Sequence, residues 1–216
     1  ERQFGIGPHT ISFPRMEPAS GTDVPTTSPY RVNDDDFQKI VTVTRLAVPY
    51  TGMIVTCRET AAARDRAVLK AGVTQMDASS NIAIGGYTDF ARETDQEMHR
   101  QQFVLADTRT LEELIRDLGR MGIITSFCTA GYRCGRTGGC IMDALKTGKE
   151  GKFCKINAVL TFREWLDDFA SPETQAICEP VLQKELGDIA ATLPKFYPTV
   201  KEAYDKIVAG ERDLFF

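Results

Sequence analysis

The sequence predicts an α/β fold, with a few parallel β/α units in the first part of the chain and a mainly helical second part. Up to about residue 121, short apolar runs alternate with segments whose apolar residues recur at helical spacing, which is the pattern of β/α units. Beyond that point helical spacing dominates. With 216 residues, 42% of them hydrophobic, the chain is long enough to bury a core. We therefore expect one domain over 1–121 and a second over 122–216.

Three strands are predicted in the first part. Residues 10–13 form a strand that ends at Pro14, residues 53–57 form an apolar run typical of a strand buried on both faces, and residues 73–77 form the third. Three β/α units cannot close an eight-stranded barrel, so the edges of this sheet require further strands or another chain. The first part is therefore predicted to be the last portion of a barrel whose other strands lie elsewhere.

A helix is predicted after each strand. The first begins at Asn33 or Asp34, the second covers 60–71, and the third opens at Asp107 or Thr108. Each has apolar residues at helical spacing, which indicates one buried face. The residues expected on the buried face of the first helix are Phe37, Ile40, Val41 and Thr44.

The second part is predicted to be helical after a short lead-in. Residues 123–127 are expected to form a short strand or an extended run before a group of cysteines. Trp165 and Phe169 stand at helical spacing, which predicts that both lie in the core. Helices are expected from 161 onward, over 172–192 and over 198–208.

Charge and hydropathy exclude several classes of function. The 26 basic and 30 acidic residues are mixed along the chain and give a net charge of -4, so no basic stripe indicates nucleic acid or an anionic membrane. No apolar run approaches the roughly 20 residues needed to cross a bilayer, and the start does not resemble a signal peptide. We expect a cytoplasmic protein that binds small molecules and protein partners. Because residue 1 is not methionine, we expect the sequence to begin inside a longer product.

Four of the six cysteines fall between residues 128 and 154. In a cytoplasmic chain of this size, clustered cysteines indicate metal ligation more than disulfides. Cys57 and Cys178 stand alone, and we expect both to be small buried hydrophobic residues.

Motifs in a fixed order along nearly the whole chain resemble those of the radical S-adenosylmethionine tyrosine lyases. The cysteine-bearing end points to the branch that matures iron–iron hydrogenase, because relatives in thiamine biosynthesis lack that insertion. The matching segments are GIGPHTISFPR at 5–15, TCRE at 56–59, GVTQMDASS at 72–80, GGY at 85–87, QF at 102–103, DTR at 107–109, SFCTA at 126–130, YR at 132–133, GRTG at 135–138 and FC at 153–154.

The resemblance implies the last strands of a radical S-adenosylmethionine TIM-type barrel, followed by a helical C-terminal domain of the biotin and thiamin synthesis associated type. It implies cleavage of tyrosine to p-cresol and a fragment that becomes carbon monoxide and cyanide for the hydrogenase, with an auxiliary 4Fe-4S cluster in this part. The CxxxCxxC triplet that reduces S-adenosylmethionine in the family is absent here. We therefore expect the chain alone to be inactive and to need the N-terminal half of the barrel, together with other hydrogenase maturation proteins.

The resemblance also implies ligands for iron. Cys128 and Cys154 match the outer two positions of the family's auxiliary-cluster motif, whereas the middle position is Gly131, which has no thiolate. Cys134 or Cys140 is expected to replace it, and an empty site with free thiols is the alternative. The family's ligand to a labile iron corresponds to His9, whose imidazole suits that metal.

Residues for substrate or cofactor are expected at the carboxyl ends of the strands, where β/α barrels place their working residues. This directs attention to His9, Arg58, Ser80 and Asn81. Arg58 is expected to bind a carboxylate of substrate or S-adenosylmethionine, or alternatively to pair with Glu59 or Asp77. Asn81 stands where the family often has a basic residue, so it offers hydrogen bonds without a countercharge.

Three functions follow from these residues. The first is part of a tyrosine lyase of hydrogenase maturation. The second is a noncatalytic relative that binds a partner and has lost the cluster, for which Gly131 and Asn81 are the evidence. The third is a divergent lyase, of the thiamine-biosynthesis type or acting on another aromatic amino acid.

Overall fold

The computed structural model describes residues 3, 7–87, 96, 99–127, 143, 146–148 and 150–216. The chain divides into two units, Glu1–Leu111 and Glu112–Phe216. Each unit has a hydrophobic core of its own. The domain boundary expected at residue 121 remains a prediction.

The first unit contains a three-stranded parallel sheet, which confirms the predicted α/β class. Its strands are β1 (Thr10–Ser12), β2 (Gly52–Val55) and β3 (Gln75–Met76), in the order β1-β2-β3. The strands are shorter than predicted because their ends make other hydrogen bonds. The Cys57 backbone N–H donates to the Asp77 carboxylate at 2.9 Å, and its carbonyl accepts from the backbone of Ala106 and Asp107.

Three helices accompany the sheet: α1 (Val24–Thr27), α2 (Asp34–Ala47) and α3 (Ala61–Ala71). The short α1 lies between β1 and α2, where the sequence analysis predicts no helix. Local sequence sets the ends of the longer two. The Asn33 side chain accepts from the backbone N–H of Asp36, and Gly72 closes α3 at a φ of 64°, which favours glycine.

The core of the first unit lies between the sheet and its two longer helices. Phe37 and Val41 of α2 are buried with Met53 and Val55 of β2. The expectation for Ile40 is wrong, because its side chain is 46% exposed. The buried face of α2 is centred on Phe37 and Val41, so Ile40 lies at its margin.

The second unit is helical, with α4 (Leu111–Arg120), α5 (Glu150–Asp168), α6 (Pro172–Thr192) and α7 (Tyr197–Val208). The bounds predicted for the helix over 172–192 are confirmed, whereas α5 begins well before the expected 161. Residues 123–127 were predicted to form either a short strand or an extended run. No strand forms there, so the second alternative holds. Within the described part of the chain, no helix is both long and apolar enough to cross a membrane.

The core of the second unit is built where α5, α6 and α7 pack together. Trp165 is buried as predicted, with its ring stacked on Phe162 at 6.5 Å between centroids. The expectation for Phe169 is wrong, since it follows the last residue of α5 and is exposed. The fully buried members of this core include Val159, Leu160, Phe162, Leu166, Cys178, Leu182, Ile189, Val200 and Ile207.

A carboxylate on α4 holds the start of α6. Glu112 Oε1 accepts hydrogen bonds from the Ser171 backbone N–H at 2.9 Å and from the Thr174 hydroxyl at 2.8 Å. These bonds lower the pKa of Glu112 to about 2. The folded state thus favours the ionised form.

We expect this contact to make the second unit less stable in acid. Because the folded pKa is depressed, the stabilisation is fully present above about pH 4.5 and is lost as the pH falls toward 2. After allowance for solvent screening, the loss is about 1 kcal/mol. Thermal melting of wild type and Glu112→Gln between pH 2 and 6 measures it, since the variant lacks the titrating group. An identical pH dependence in the two proteins would contradict the assignment.

Candidate functional site

The predicted residues of the first unit lie at two opposite ends of the sheet. Arg58 and Ser80 follow β2 and β3, so they lie at the carboxyl end. His9 precedes β1, and its carbonyl accepts from the backbone N–H of Gly52 at the start of β2. The expectation that His9 joins the others is therefore wrong, because parallel strands all begin at the same edge of a sheet.

Arg58 has a guanidinium without an ion-pair partner in the described structure. It lies over the Phe103 ring, with Cζ 3.8 Å from the centroid, and donates to the carbonyl of Arg15 at 3.4 Å. The alternative of a pair with Glu59 or Asp77 is wrong, because those carboxylates bind other arginines. The stacked guanidinium is thus held in place while its charge stays available for an anion.

Asp77 is the hub of the loops at the carboxyl end. Its Oδ2 accepts from the Ser80 hydroxyl at 2.7 Å, and its Oδ1 accepts from the Cys57 backbone. Burial raises the pKa of Asp77, but hydrogen bonds from Cys57 and Ser80 and the charge of Arg64 outweigh it, so the net pKa is lowered. Ser80 is therefore oriented by an ionised carboxylate.

The Cys57 thiol beside this hub is not a reactive group. Burial, followed by its hydrogen bond with Asp77, raises the pKa of Cys57 to about 11. A thiol with that pKa is protonated near neutral pH and is a poor nucleophile or metal ligand. Burial of Cys57 and Cys178 confirms their expected role as small hydrophobic residues.

A buried arginine supports the hub from α3. The Arg64 side chain is 1% exposed and donates to Asp107 Oδ2 at 2.6 Å, to Asp77 Oδ1 at 3.1 Å and to the Asp77 carbonyl. Arg109 also binds Asp107 and reaches Asp65 at 2.9 Å. Burial alone would raise the pKa of Asp107, but these arginines lower it, so the network is ionised. This network of ion pairs fixes the loop after β3, which contains Asp77, against the segment before α4, which contains Asp107 and Arg109.

Asn81 uses its side chain within its own loop. Its Nδ2 donates to the Gly86 carbonyl at 2.9 Å, and its Oδ1 accepts from the Ala83 backbone at 3.0 Å. A Cβ at Gly86 would lie 2.2 Å from that Oδ1, so the close approach requires glycine. The amide that we predicted to meet a ligand is thus engaged in closing the turn.

Sequence reasoning missed a second arginine at the carboxyl end. Arg15 Nε donates to Glu59 Oε2 at 2.6 Å, and its Cζ lies 4.6 Å from the centroid of the Phe37 ring. Glu59 is fully buried, and its Oε1 has no hydrogen-bond partner among the described residues. Arg15 and Glu59 lie just beyond the carboxyl ends of β1 and β2, which was the signal that singled out Arg58.

A cavity of about 340 Å³ lies beside Arg15. Burial, followed by the neighbouring Glu59 carboxylate, raises the pKa of Glu17, which lines this cavity. The carboxyl end therefore combines charged groups with an accessible space. The lining residues are Pro14, Arg15, Met16, Glu17, Pro18, Tyr30, Arg31, Val32 and Asp34.

His9 is exposed at the amino end of the sheet, and Thr51 holds the loop before it. The buried Thr51 hydroxyl donates to the Pro8 carbonyl at 2.6 Å. The backbone of His9 is thereby fixed by Thr51 and Gly52 while its imidazole faces solvent. Such an imidazole is accessible to a metal ion.

Of the predicted cluster ligands, Cys154 is the one that the structure describes. It is exposed near the start of α5, whereas Ile156 and Asn157 just after it are buried. Lys155 is paired with Glu185 at 2.9 Å, so this turn is held in place. Cys128, Cys134 and Cys140 lie outside the described residues. Within 7–87, 99–127 and the other described positions, no three potential metal ligands come together.

The expected family is found, but its match lies mainly in the first unit and not in the helical second part, where the resemblance implied it. Residues 12–124 match the family described as the Biotin and Thiamin Synthesis associated domain. A solved structure described as HydG, a maturase of the iron–iron hydrogenase, matches 100% of this chain with 39% identity and a TM-score of 0.86. The match covers 44% of that chain, so the sequence spans less than half of its length. A search of curated proteins found no match.

Proposed function

The chain belongs to the Biotin and Thiamin Synthesis associated domain family, and all of its residues fall within the match to HydG. We therefore propose that it serves as the C-terminal portion of a radical S-adenosylmethionine tyrosine lyase. In this proposal the complete enzyme cleaves tyrosine to p-cresol and supplies carbon monoxide and cyanide for the hydrogenase. Thiolate-held iron–sulfur clusters need reduced cysteines, so the proposal includes a cytoplasmic setting.

Arg58 is the observation that carries the proposal. Its guanidinium, stacked on Phe103 at the carboxyl end of β2 and without an ion pair in the described structure, suits bidentate binding of an amino-acid carboxylate. That carboxylate belongs to tyrosine or to the methionine part of S-adenosylmethionine. Ser80, oriented by ionised Asp77, supplies a hydroxyl nearby in the same set of loops.

The auxiliary cluster is proposed to bind Cys128, Cys154 and Cys134, with Cys140 as the more distant substitute. Cys154 fits this role because its exposed side chain sits on a turn fixed by Lys155 and Asn157. Cys134 lies three residues beyond Gly131, whereas Cys140 would have to return across a glycine-rich stretch at a greater cost in chain entropy. When bound, the cluster would supply an iron with an open position, and His9 is proposed to hold a labile iron.

Anaerobic reconstitution followed by an iron and sulfide count tests the cluster. We expect about four irons per chain in the wild type, as a 4Fe-4S cluster requires. Cys128→Ser, Cys134→Ser and Cys154→Ser should each lose most of that iron, because each removes a thiolate. Cys140→Ser is the matched control and should keep it. Loss in Cys140→Ser with retention in Cys134→Ser would reverse the assignment, and an iron-free wild type would contradict the cluster.

A noncatalytic partner-binding module is the second candidate function. Asn81 favours it, because the amide that takes the place of a basic residue is used to close its own turn. This candidate would be favoured if the wild-type chain bound neither iron nor tyrosine. Iron binding would favour the lyase.

A further inference from the structure

The segment Arg212–Phe216, which we call the strap, lies along α5. Every second residue of the strap is half-buried, namely Arg212, Leu214 and Phe216, and the two residues between them are exposed. Leu214 and Phe216 pack against the core of the second unit. One side of the strap is therefore held against the helices.

Two side chains of α5 hold the beginning of the strap. Arg212 Nε donates to Asp168 Oδ2 at 2.8 Å, and the Leu214 backbone N–H donates to Glu164 Oε1 at 3.3 Å. Asp168 is the last residue of α5, and Glu164 lies one turn before it. The strap thus runs from the end of this helix toward its start.

A buried asparagine near the start of α5 holds the end of the strap. The Phe216 backbone N–H donates to Asn157 Oδ1 at 2.8 Å, and Asn157 Nδ2 donates to the Phe216 carbonyl at 2.9 Å. Asn157 is only 6% exposed and lies between the buried side chains of Ile156 and Val159. A buried amide is costly unless it is hydrogen-bonded, so this reciprocal pair accounts for a polar residue in the core.

The reciprocal pair lies next to the turn that carries Cys154. Residues three apart are neighbours on the surface of an α-helix, and Cys154 is three residues before Asn157. This turn is weak by itself, because helix ends fray and because glycine at position 151 costs conformational entropy. A Cβ at Gly151 would meet nothing within 4 Å, so packing does not require glycine there. The order of this turn therefore depends on contacts made by the residues that follow it.

We propose that the strap is a positioning element for the Cys154 thiol and that it acts through Asn157. The thiol is exposed at the start of α5, where it can reach an iron. An iron–sulfur cluster needs thiolates that converge on it, and a thiol on a frayed turn must first be ordered at a cost in chain entropy. A strap that orders the turn in advance removes part of that cost and strengthens iron binding. This role rests on the proposed function, which supplies the cluster.

Removal of the reciprocal pair tests this role. In the iron-free chain, hydrogen exchange of peptides that cover residues 153–158 should be about tenfold faster in Asn157→Ala than in the wild type, because two hydrogen bonds are lost. After anaerobic reconstitution, the variant should also release iron to a chelator about tenfold faster. Arg212→Ala is the matched control. It removes the strap contact at Asp168, about 16 Å farther along α5, and should change neither rate.

Gly151→Ala provides a rescue that separates positioning from a general folding defect. Alanine stabilises the turn without touching the strap, so adding Gly151→Ala to Asn157→Ala should restore both rates toward those of the wild type. Absence of that rescue would show that the strap stabilises the unit as a whole, which overturns the positioning role.

The remaining outcomes distinguish a failure of this role from a failure of the proposed function. Unchanged exchange or iron release in Asn157→Ala, or equal effects of Arg212→Ala, would overturn the positioning role while the wild type still binds iron. A wild type that binds no iron after reconstitution would instead contradict the cluster itself, and the positioning role with it.

Discussion

Replacing Arg64 with alanine is expected to lower the free energy of unfolding of the first unit by about 3–5 kcal/mol. Arg64 and Asp107 are each only 1% exposed as side chains and are paired at 2.6 Å. Removing the guanidinium leaves the Asp107 carboxylate buried with Arg109 as its remaining ion-pair partner, and it frees Asp77 from α3. A buried charge that loses a partner costs far more than an exposed pair contributes.

The matched control is Arg66→Ala on the same helix. Arg66 pairs with Asp35 at 3.1 Å, but both side chains are well exposed, so we expect a loss of less than about 1 kcal/mol. Trp165, the one tryptophan of the chain, lies in the second unit and reports on that unit by fluorescence. Urea unfolding followed by circular dichroism should show the Arg64→Ala shift, while the fluorescence transition stays in place. Equal losses for the two arginines would contradict a special role for the buried network.

The consequence of this network for function lies in the loop after β3. Arg64 binds both the carboxylate and the carbonyl of Asp77, and Asp77 in turn orients Ser80. The position of the Ser80 hydroxyl thus depends on ion pairs between residues far apart in sequence. For this reason α3 matters for the site although it carries no candidate site residue itself.

Local signals in the sequence were enough to predict the ends of α2 and α3 and the class of fold. Asn33 and Thr60 cap α2 and α3 with their own side chains, and Gly72 ends α3 by its backbone conformation. These interactions involve residues within a few positions of each other. They can therefore be predicted without knowing what packs against the helix.

The site was harder to predict because its geometry depends on distant partners. The sequence placed Arg58 after a strand, but stacking on Phe103 decides that its charge is available. Asn81 carries the right chemistry for a ligand, yet the carbonyl of Gly86 and the backbone of Ala83 occupy it. His9 precedes its strand, so the parallel pairing of β1 with β2 assigns it to the other end of the sheet.

The exposure of Ile40 shows that burial, like the geometry of the site, depends on neighbours that the local sequence does not reveal. Helical spacing alone cannot decide how wide a buried face is, because that depends on which neighbours are present. With α3 on one side and no helix on the other among the described residues, the apolar surface of α2 exceeds what the described core covers. Helical spacing therefore predicted a buried residue, Ile40, that the described core does not cover.

Gly119→Ala is expected to destabilise the second unit by about 1–3 kcal/mol, although alanine is the better helix former by about 1 kcal/mol. Gly119 is buried on α4, and a Cβ there would lie 2.6 Å from Cys178 Sγ and 3.3 Å from Ile177 Cγ2. Cys178 is fully buried on α6, so its short side chain cannot relieve the clash by turning into solvent. The close approach of the two helices therefore requires glycine at this position.

A double-mutant cycle with Cys178→Ala isolates that contact. Cys178→Ala alone leaves a small cavity and should cost about 1 kcal/mol, but in the Gly119→Ala background it removes the clashing sulfur. We therefore expect the double variant to recover about 1–2 kcal/mol relative to the sum of the single changes. Gly187→Ala on α6 is the control, because a Cβ there meets nothing within 4 Å and should stabilise the helix. Urea unfolding followed by Trp165 fluorescence measures all four variants, and strictly additive effects would show that the Cβ–Sγ contact does not set the spacing of α4 and α6.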